Sequence, residues 1–289
     1  MRPAPWLVSA ASVMGSRHAR SVTDCQDSFA AHQEADTLIL ACADGGSRAR
    51  LARTASSLAA TLAADEARRA LPPTGDRPDP AAEAAEWGRR LDRVIRDVVR
   101  RFRAAAAAMS STLSDRDGYR MNQWGTTLTL VMVHRPWLAA VAIGDGFVVT
   151  RCGTSHFDLF LPPDELPRGG AGRPPRTTRG GGDADGPPAE PGRTVFVTSP
   201  GATGRARRVV ARLPDLTGVA VSSDGLRDVG LLHEGAHAVQ PYHQFFTPLF
   251  AHAVKAGEDD TYLARFLAGE RITALTGDDK TLLVAVERP

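Results

Sequence analysis

The segment LILACADGG, residues 38–46, joins an apolar, strand-like run directly to an acidic turn. The same pairing recurs at VAIGDG (141–146), VAVSSDG (219–225) and GDDKTLLV (277–284), where the acid comes first. A carboxylate at the mouth of a buried strand is held rigidly by the sheet and still faces water. Several such carboxylates together suit Mg²⁺ or Mn²⁺, which prefer carboxylate, carbonyl and water oxygens. The pattern therefore predicts metal-assisted chemistry on a phosphate.

Each acidic turn also has an ordinary structural explanation when it is taken alone. Asp-Gly is common in plain turns, and between two apolar runs, as at Asp145-Gly146, it is a strong hairpin signal. Asp224 is a favoured N-cap for the helix expected after it, and Asp278 fits a solvated turn. The four turns in this order, with these flanks, favour one shared site over four coincidences.

The bulk composition is that of a globular protein. The 289 residues are enough to bury a sizeable core, and 43% are apolar while 24% are charged. A net charge of +2 gives no strong field toward nucleic acid or a membrane, and no run reaches the about 20 apolar residues that cross a bilayer. Cys25, Cys42 and Cys152 fit neither a disulfide framework nor a zinc-ligand spacing. We therefore expect a reducing, cytoplasmic location without nucleic-acid or membrane partners.

Strands and helices are predicted in blocks rather than in alternation. Two long helices have apolar residues three or four positions apart, so each buries one face. Tight connections in the middle of the chain suggest an antiparallel meander. The predicted strands are 6–14, 36–43, 126–134, 137–143, 147–152, 157–161, 194–199, 207–213, 218–222 and 281–287. The predicted helices are 47–71, 80–109, 226–229, 242–256 and 259–268. This order predicts an α+β fold in which helices cover mostly antiparallel sheets.

Residues 162–193 differ in kind from the rest of the chain. They are rich in Pro, Gly, Arg and Asp and contain almost no large apolar residue. Such a segment cannot bury enough surface to order itself, so we predict a flexible insertion within a single domain spanning residues 1–289. Arg168, Arg173, Arg176 and Arg179 within it leave two interpretations open, a plain solvated loop or a contact with an acidic partner.

Six short motifs, in order along nearly the whole chain, resemble those of the bacterial type-2C, metal-dependent protein serine/threonine phosphatases. They are Gly15 through Gln26-Asp27-Ser28, Ala43-Asp44-Gly45-Gly46, Gly125-Thr126-Thr127, Ile143-Gly144-Asp145-Gly146, Ser223-Asp224-Gly225-Leu226-Arg227-Asp228 and Asp278-Asp279-Lys280-Thr281. The set carries the resemblance rather than any one motif. It implies a four-layer αββα sandwich, two mostly antiparallel sheets face to face and flanked by helix pairs.

The resemblance also implies a site for two Mn²⁺ or Mg²⁺ ions and a weaker third. Asp44 would bridge the two ions, and the Gly45 carbonyl would bind one of them. Asp224 and Asp278 would complete the other and share the catalytic role with Asp44. The remaining residues implied for the metal site are Asp27, which would orient ligands from behind, Gln26, and, for the third ion, Asp145 and Asp228.

The implied reaction is the hydrolysis of phosphoserine or phosphothreonine monoesters on proteins by a water bridged between two divalent cations. The expected partner is a phosphorylated protein, the target of a serine/threonine kinase in signalling. Three residues near the N-terminus are candidates for further roles: His18 for catalysis or phosphate contact, and Arg17 and Arg20 for phosphate binding. For His18, an exposed histidine at a strand end is an equally good interpretation.

Two departures from the family pattern leave an alternative open. Gln26 stands where the family often has Glu, and Gly46 stands where many members have a His that protonates the leaving alcohol. The chain could therefore be a catalytically weakened pseudophosphatase, a phosphoprotein-binding or regulatory module. A phosphatase that acts on a small metabolite or on an anti-sigma-type regulator is a third possibility. Three converging carboxylates favour the enzyme, since unpaired they repel one another and cost stability.

Overall fold

The computed structural model describes residues 5–21, 24–34, 36–71, 80–113, 120–164, 194–234, 238–256 and 260–288. The strands are β1 Trp6–Val13, β2 Ser28–Glu34, β3 Thr37–Ala43, β4 Leu128–His134, β5 Trp137–Ile143, β6 Phe147–Cys152, β7 His156–Leu161, β8 Arg207–Arg212, β9 Leu216–Ser222, β10 Leu231–Glu234, β11 Ala238–Pro241 and β12 Lys280–Glu287. The helices are α1 Ser16–Ser21, α2 Ala52–Ala70, α3 Pro80–Thr112, α4 Ala202–Arg205, α5 Arg227–Gly230, α6 His243–Ala256, α7 Asp260–Ala268 and α8 Glu270–Thr273, and short 3₁₀ helices cover Met121–Trp124 and Asp224–Leu226.

Two five-stranded sheets, antiparallel throughout, form the centre of the fold. The first has the order β1-β12-β9-β6-β7 and the second has the order β2-β3-β4-β5-β8. A separate two-stranded hairpin pairs β10 with β11. Helices α2 and α3 lie on the outer face of the second sheet, and α6 and α7 lie on the outer face of the first. The predicted four-layer αββα sandwich is confirmed.

Alternation along β3 shows why its sequence is apolar from Leu38 to Ala43. Leu38, Leu40 and Cys42 face the core between the two sheets. Ile39 and Ala41 point the other way, into the core beneath α2 and α3. Successive side chains of a strand point to opposite faces, so a strand buried on both faces needs a continuous apolar run. The same reasoning applies to β4, β5 and β12, which are also buried on both faces.

The topology brings the four acidic turns to one end of the sandwich. β3 and β5 both pair antiparallel with β4, so Ala43 and Ile143 end at the same edge of the second sheet. In the first sheet Ser222, the last residue of β9, pairs with Phe147 at the start of β6 and with Leu282 near the start of β12. Turn 144–146 joins β5 in one sheet to β6 in the other, which places both edges side by side.

Several sequence predictions differ from the structure. The meander does not continue through turn 144–146, because β5 and β6 belong to different sheets. The predicted strand at 194–199 is wrong: Val195 and Val197 are buried from an irregular turn, so burial alone produced their alternation. Strand β2, the β10–β11 hairpin and the short helices α1 and α8 were not predicted. Of the predicted insertion at 162–193, residues 165–193 lie outside the described residues. None of the helices described here is long and apolar enough to span a bilayer.

Candidate metal centre

Asp44 is fixed through its backbone at the end of β3. Its N–H donates to Thr127 Oγ1 at 3.0 Å, and its carbonyl accepts from Thr126 Oγ1 at 2.9 Å and from the Thr127 N–H at 2.8 Å. The next residue, Gly45, passes so close to α2 that a Cβ there would lie 2.7 Å from the Ala52 carbonyl oxygen. The chain can therefore turn here only at a glycine, and the Asp44 carboxyl is left to face the other acids.

A single hydroxyl group links the buried carboxyl of Asp27 to the first sheet. Ser223 Oγ donates to Asp27 Oδ2 at 2.7 Å and accepts the backbone N–H of Thr281 at 3.0 Å. The other carboxyl oxygen, Asp27 Oδ1, and the amide oxygen Gln26 Oε1 are buried and have no hydrogen-bond donor among the described residues. A buried acceptor without a partner is costly, so these two oxygens suit a positively charged ligand.

The two acids before β12, Asp278 and Asp279, have different surroundings and different contacts. Asp279 is buried and accepts the backbone N–H of Gly15 at 2.7 Å and that of Gln26 at 2.5 Å, while His18 Nδ1 lies 2.9 Å away. Asp278 is 46% exposed, and its carboxylate lies 3.5 Å from Arg17 Nη1. Asp279 therefore holds the N-terminal segment in place, and Asp278 presents its carboxylate at the surface of the site.

Two contacts bring the Asp278–Asp279 turn against its neighbours. A Cβ on Gly225 would lie 1.8 Å from the Asp279 carbonyl oxygen, so the turn after β9 packs on backbone and tolerates no side chain. The buried Lys280 donates from Nζ to the Asp278 carbonyl at 3.1 Å. Burial lowers the pKa of Lys280, whereas the charges of Asp279 and Asp278 act to raise it. Lys280 thus places its amine beneath the acidic turn.

The carboxyl groups at this end raise one another's pKa. Burial, followed by the negative charges of Asp27 and Asp224, raises the pKa of Asp44 well above its usual value. Burial, followed by the charges of Asp145 and Asp278, raises the pKa of Asp224 to about 8. Burial raises the pKa of Asp27 to about 6, although the hydrogen bond from Ser223 opposes the rise. The four predicted turns therefore meet in one electrostatic cluster.

The remaining predicted site residues differ in burial. Asp145 is buried and accepts a hydrogen bond from Thr194 Oγ1 at 3.2 Å. Asp228 is 70% exposed and lies 3.6 Å from Arg227 and 4.0 Å from His233. The side chain of Arg20 lies outside the described residues.

Comparisons with known proteins agree with this geometry. The family model described as Protein phosphatase 2C matches residues 14–268. The chain belongs to the protein phosphatase 2C family. A comparison with curated protein sequences finds no match.

Solved structures support the fold of this protein phosphatase 2C family member. The serine-threonine phosphatase 2C from Toxoplasma gondii superposes with a TM-score of 0.59 at 15% identity, covering 100% of this chain and 96% of the other. The Mycobacterium tuberculosis serine/threonine phosphatase PstP/Ppp gives a TM-score of 0.52 at 17% identity, covering 98% and 99%. A sex determining protein of C. elegans gives 0.57 at 18% identity, covering 98% of this chain and 65% of that one. Family membership supports a serine/threonine phosphatase function and a general dependence on metal ions.

The donor set of this phosphatase 2C family member suits hard divalent cations. Within the described ranges, no group of three or more His, Cys, Asp or Glu side chains is placed closely enough to hold a metal ion. The donors in the cluster are nevertheless all oxygen, and two of them, Asp27 Oδ1 and Gln26 Oε1, are buried without a partner. Burial and the charges of Asp279 and Asp27 raise the pKa of the nearby Cys25 to about 12, so this sulfur stays protonated. Oxygen donors without a thiolate are the preference of Mg²⁺ and Mn²⁺.

Three supporting residues of the site were not predicted from the sequence: Ser223, Asp279 and Lys280. From the sequence alone, Asp279 was interpreted only as part of a turn. The adjacent acids Asp278 and Asp279 were the signal that could have indicated a second role for this turn. Nothing in the sequence marks Ser223, because its partner Asp27 lies 196 residues earlier in the chain.

Proposed function

We propose that this protein phosphatase 2C family member hydrolyses phosphoserine and phosphothreonine monoesters on proteins, using two Mn²⁺ or Mg²⁺ ions and a weaker third. One observation carries the proposal: carboxyls from four distant turns converge at one end of the sandwich and raise one another's pKa. Such an arrangement costs the fold stability, and a divalent cation would offset that cost. The substrate would be a protein phosphorylated by a serine/threonine kinase.

The residues proposed to hold the two ions are the carboxylates of Asp44, Asp224 and Asp278 and the carbonyl of Gly45. Gln26 and Asp27 would complete and orient this set, and Asp145 and Asp228 would serve the third ion. When bound, the ions supply a water of lowered pKa and positive charge for the phosphoryl oxygens.

The chain's own residues would position the reacting groups. Ser223 and Asp279 fix the carboxyl of Asp27 and the backbone of Gln26 through the hydrogen bonds described above. Arg17 lies beside Asp278 with its guanidinium exposed, which suits a contact to the incoming phosphate dianion. His18 is proposed to orient Asp279 rather than to donate a proton from Nδ1, since that nitrogen faces the Asp279 carboxylate. Arg20 remains a candidate for phosphate binding.

A catalytically weakened regulatory module is the second candidate. It is favoured by Gln26, which brings no charge to the site, and by the surroundings of Gly46. A Cβ at Gly46 would lie 2.9 Å from the Phe196 ring, so this ring fills the space where a side chain at position 46 would begin. Any group that protonates the leaving alcohol must then come from elsewhere, or from water.

Hydrolysis of an aryl phosphate separates the two candidates. The enzyme should require Mn²⁺ or Mg²⁺, lose its activity in EDTA, and lose orders of magnitude in kcat when Asp278 is changed to Asn. The matched control is Asp36→Asn, an exposed carboxyl in the turn between β2 and β3, which should keep full activity. Activity that survives EDTA unchanged would rule out the metal-dependent mechanism, and no activity under any condition would favour the regulatory module.

A further inference from the structure

Residues 47–53, SRARLAR, run from the turn after Gly46 into the first two residues of α2, and we call them the arginine turn. The backbone of this turn is held by hydrogen bonds on both sides. The Ala49 N–H donates to the Gly46 carbonyl at 2.7 Å, and Gln123 accepts from the Leu51 N–H at 3.0 Å and from the Arg50 N–H at 3.1 Å. Ala49 is buried beneath the turn. The turn is therefore a fixed surface, from which Arg48 and Arg50 extend into solvent.

The helix that follows does not account for the positive charges of Arg48 and Arg53. A helix N-terminus carries a partial positive charge and is stabilised by acids, yet the first turn of α2 contains no acid and includes Arg53. Among the described residues, Arg53 forms an ion pair with Asp24 at 3.7 Å, and these side chains are 63% and 82% exposed. Such an exposed pair contributes little. No described residue forms an ion pair with Arg48. The fold therefore concentrates cations where its own helix disfavours them.

This surface directly adjoins the proposed metal centre. Arg48 is four residues after Asp44, so the two Cα atoms are at most about 14 Å apart even for an extended chain. An extended peptide covers that distance in about four residues. A substrate whose phosphate lay at the metal centre would thus place residues two to four positions from the phosphoresidue over the arginine turn.

We infer that the arginine turn binds acidic residues that flank the phosphoserine or phosphothreonine of the protein substrate, an inference that rests on the proposed function. Carboxylates complement the exposed guanidinium groups of Arg48, Arg50 and Arg53, which bind planar anions through paired N–H donors. A nucleic acid would also meet this charge. The net charge of +2 and the absence of aromatic residues from the turn favour a peptide over a single strand, which needs stacking platforms.

Two labelled phosphoserine peptides test the inference, one with three Glu residues at positions two to four from the phosphoresidue and one with three Gln residues there. Binding is measured by fluorescence anisotropy in EDTA, and kcat/KM is measured by phosphate release with Mn²⁺. We expect the acidic peptide to bind at least about tenfold more tightly and to have the higher kcat/KM. The preference should shrink in 0.5 M salt, because exposed charges are screened.

Three double variants locate the surface, and the two Glu pairs among them make the same change in net charge. Arg48→Glu with Arg50→Glu should abolish the preference for the acidic peptide, and the neutral pair Arg48→Gln with Arg50→Gln should reduce it. Arg93→Glu with Arg96→Glu, on the exposed side of α3, should leave it intact. Thermal unfolding of each variant checks that the fold is retained.

The outcomes separate the inference from the proposed function. Equal binding of both peptides, or equal loss in the α3 control pair, would overturn the inference. Displacement of the acidic peptide by an oligonucleotide at lower concentration than by a second acidic peptide would also overturn it and assign the turn to nucleic acid. Aryl phosphate hydrolysis without an acidic preference would leave the proposed function standing, whereas acidic preference without any hydrolysis would leave only the binding surface.

Discussion

Replacing Asp224 by Asn should stabilise the metal-free protein while abolishing its activity. The pKa of Asp224 is raised from 3.8 to about 8 by burial and by the charges of Asp145 and Asp278. In the folded protein this carboxyl therefore keeps its proton at neutral pH, whereas in the unfolded chain it releases it. Stability from this group is fully present below pH 3.8 and is lost as the pH rises toward 8. Asn has nearly the shape of the protonated acid and cannot ionise.

The size of the effect follows from that interval. At pH 7 the full linkage term is about 4 kcal/mol, from about 1.4 kcal/mol per pH unit above 3.8. We expect roughly half of this, about 2 kcal/mol, because Asp224 is only partly buried and water reaches one side of it. For a domain of this size, 2 kcal/mol corresponds to a rise of about 5 °C in Tm.

Calorimetric unfolding in EDTA at pH 7.5 and at pH 4.5 measures the prediction. Asp224→Asn should raise Tm at pH 7.5 and have a much smaller effect at pH 4.5, which lies less than one pH unit above the ordinary Asp pKa of 3.8. Adding Mn²⁺ should stabilise the natural protein and remove the variant's advantage, since ligand binding to the folded state adds stability. The exposed Asp36→Asn should change none of these values. An Asp224→Asn protein that is less stable than the natural one in EDTA at pH 7.5, or equally stabilised at both pH values, would refute the electrostatic reasoning.

Three further substitutions test how the centre is built. Ser223→Ala leaves a buried carboxyl oxygen of Asp27 without its hydrogen-bond donor. It should lower the free energy of unfolding by about 1–2 kcal/mol, measured by denaturant titration, and weaken Mn²⁺ binding, measured by calorimetry. Unchanged Mn²⁺ affinity would contradict this. Gly225→Ala places a Cβ 1.8 Å from the Asp279 carbonyl oxygen and should prevent folding or metal binding. The control Gly204→Ala has open space around its Cβ and should be tolerated. Equal expression levels and equal Tm values for the two variants would count against the close approach at Gly225. Gln26→Glu should tighten Mn²⁺ binding severalfold, measured by calorimetry, since it adds a negative charge beside an oxygen that has no donor; weaker binding would place position 26 outside the centre.

The sheets and long helices could be predicted because their patterns are local. Strand β3 is apolar from Leu38 to Ala43 since it is buried on both faces, and the apolar stripe of α3 packs against one sheet only. Strand β2 escaped prediction because it is an edge strand whose side chains are largely in contact with solvent, so its sequence carries little apolar signal. The segment 194–199 was predicted wrongly for the opposite reason, because buried residues of a turn can alternate by chance.

The candidate site was predicted in its acids but not in the hydrogen bonds that support them. An Asp beside a strand end can be seen in the sequence, so Asp44 and Asp224 were identified directly. Asp279, and not its neighbour Asp278, accepts the backbone hydrogen bonds of the N-terminal segment. This choice depends on contacts between residues more than 200 positions apart, such as Gly15 and Asp279. For that reason only the structure shows that Asp279 is a buried hydrogen-bond acceptor whereas Asp278 is partly exposed.

Topology, more than any single residue, explains why the acids converge. In an antiparallel sheet every second strand ends at the same edge. In the second sheet, β3 and β5 therefore end side by side. In the first sheet, the end of β9 lies beside the start of β12. Turn 144–146 passes from one sheet to the other and brings both edges together. Carboxyl groups placed after such strands must then meet, and their repulsion is a cost that the fold carries at neutral pH. A stable fold does not require acids at all of these strand ends, so their presence in this chain supports the cation site and the phosphatase activity that we propose.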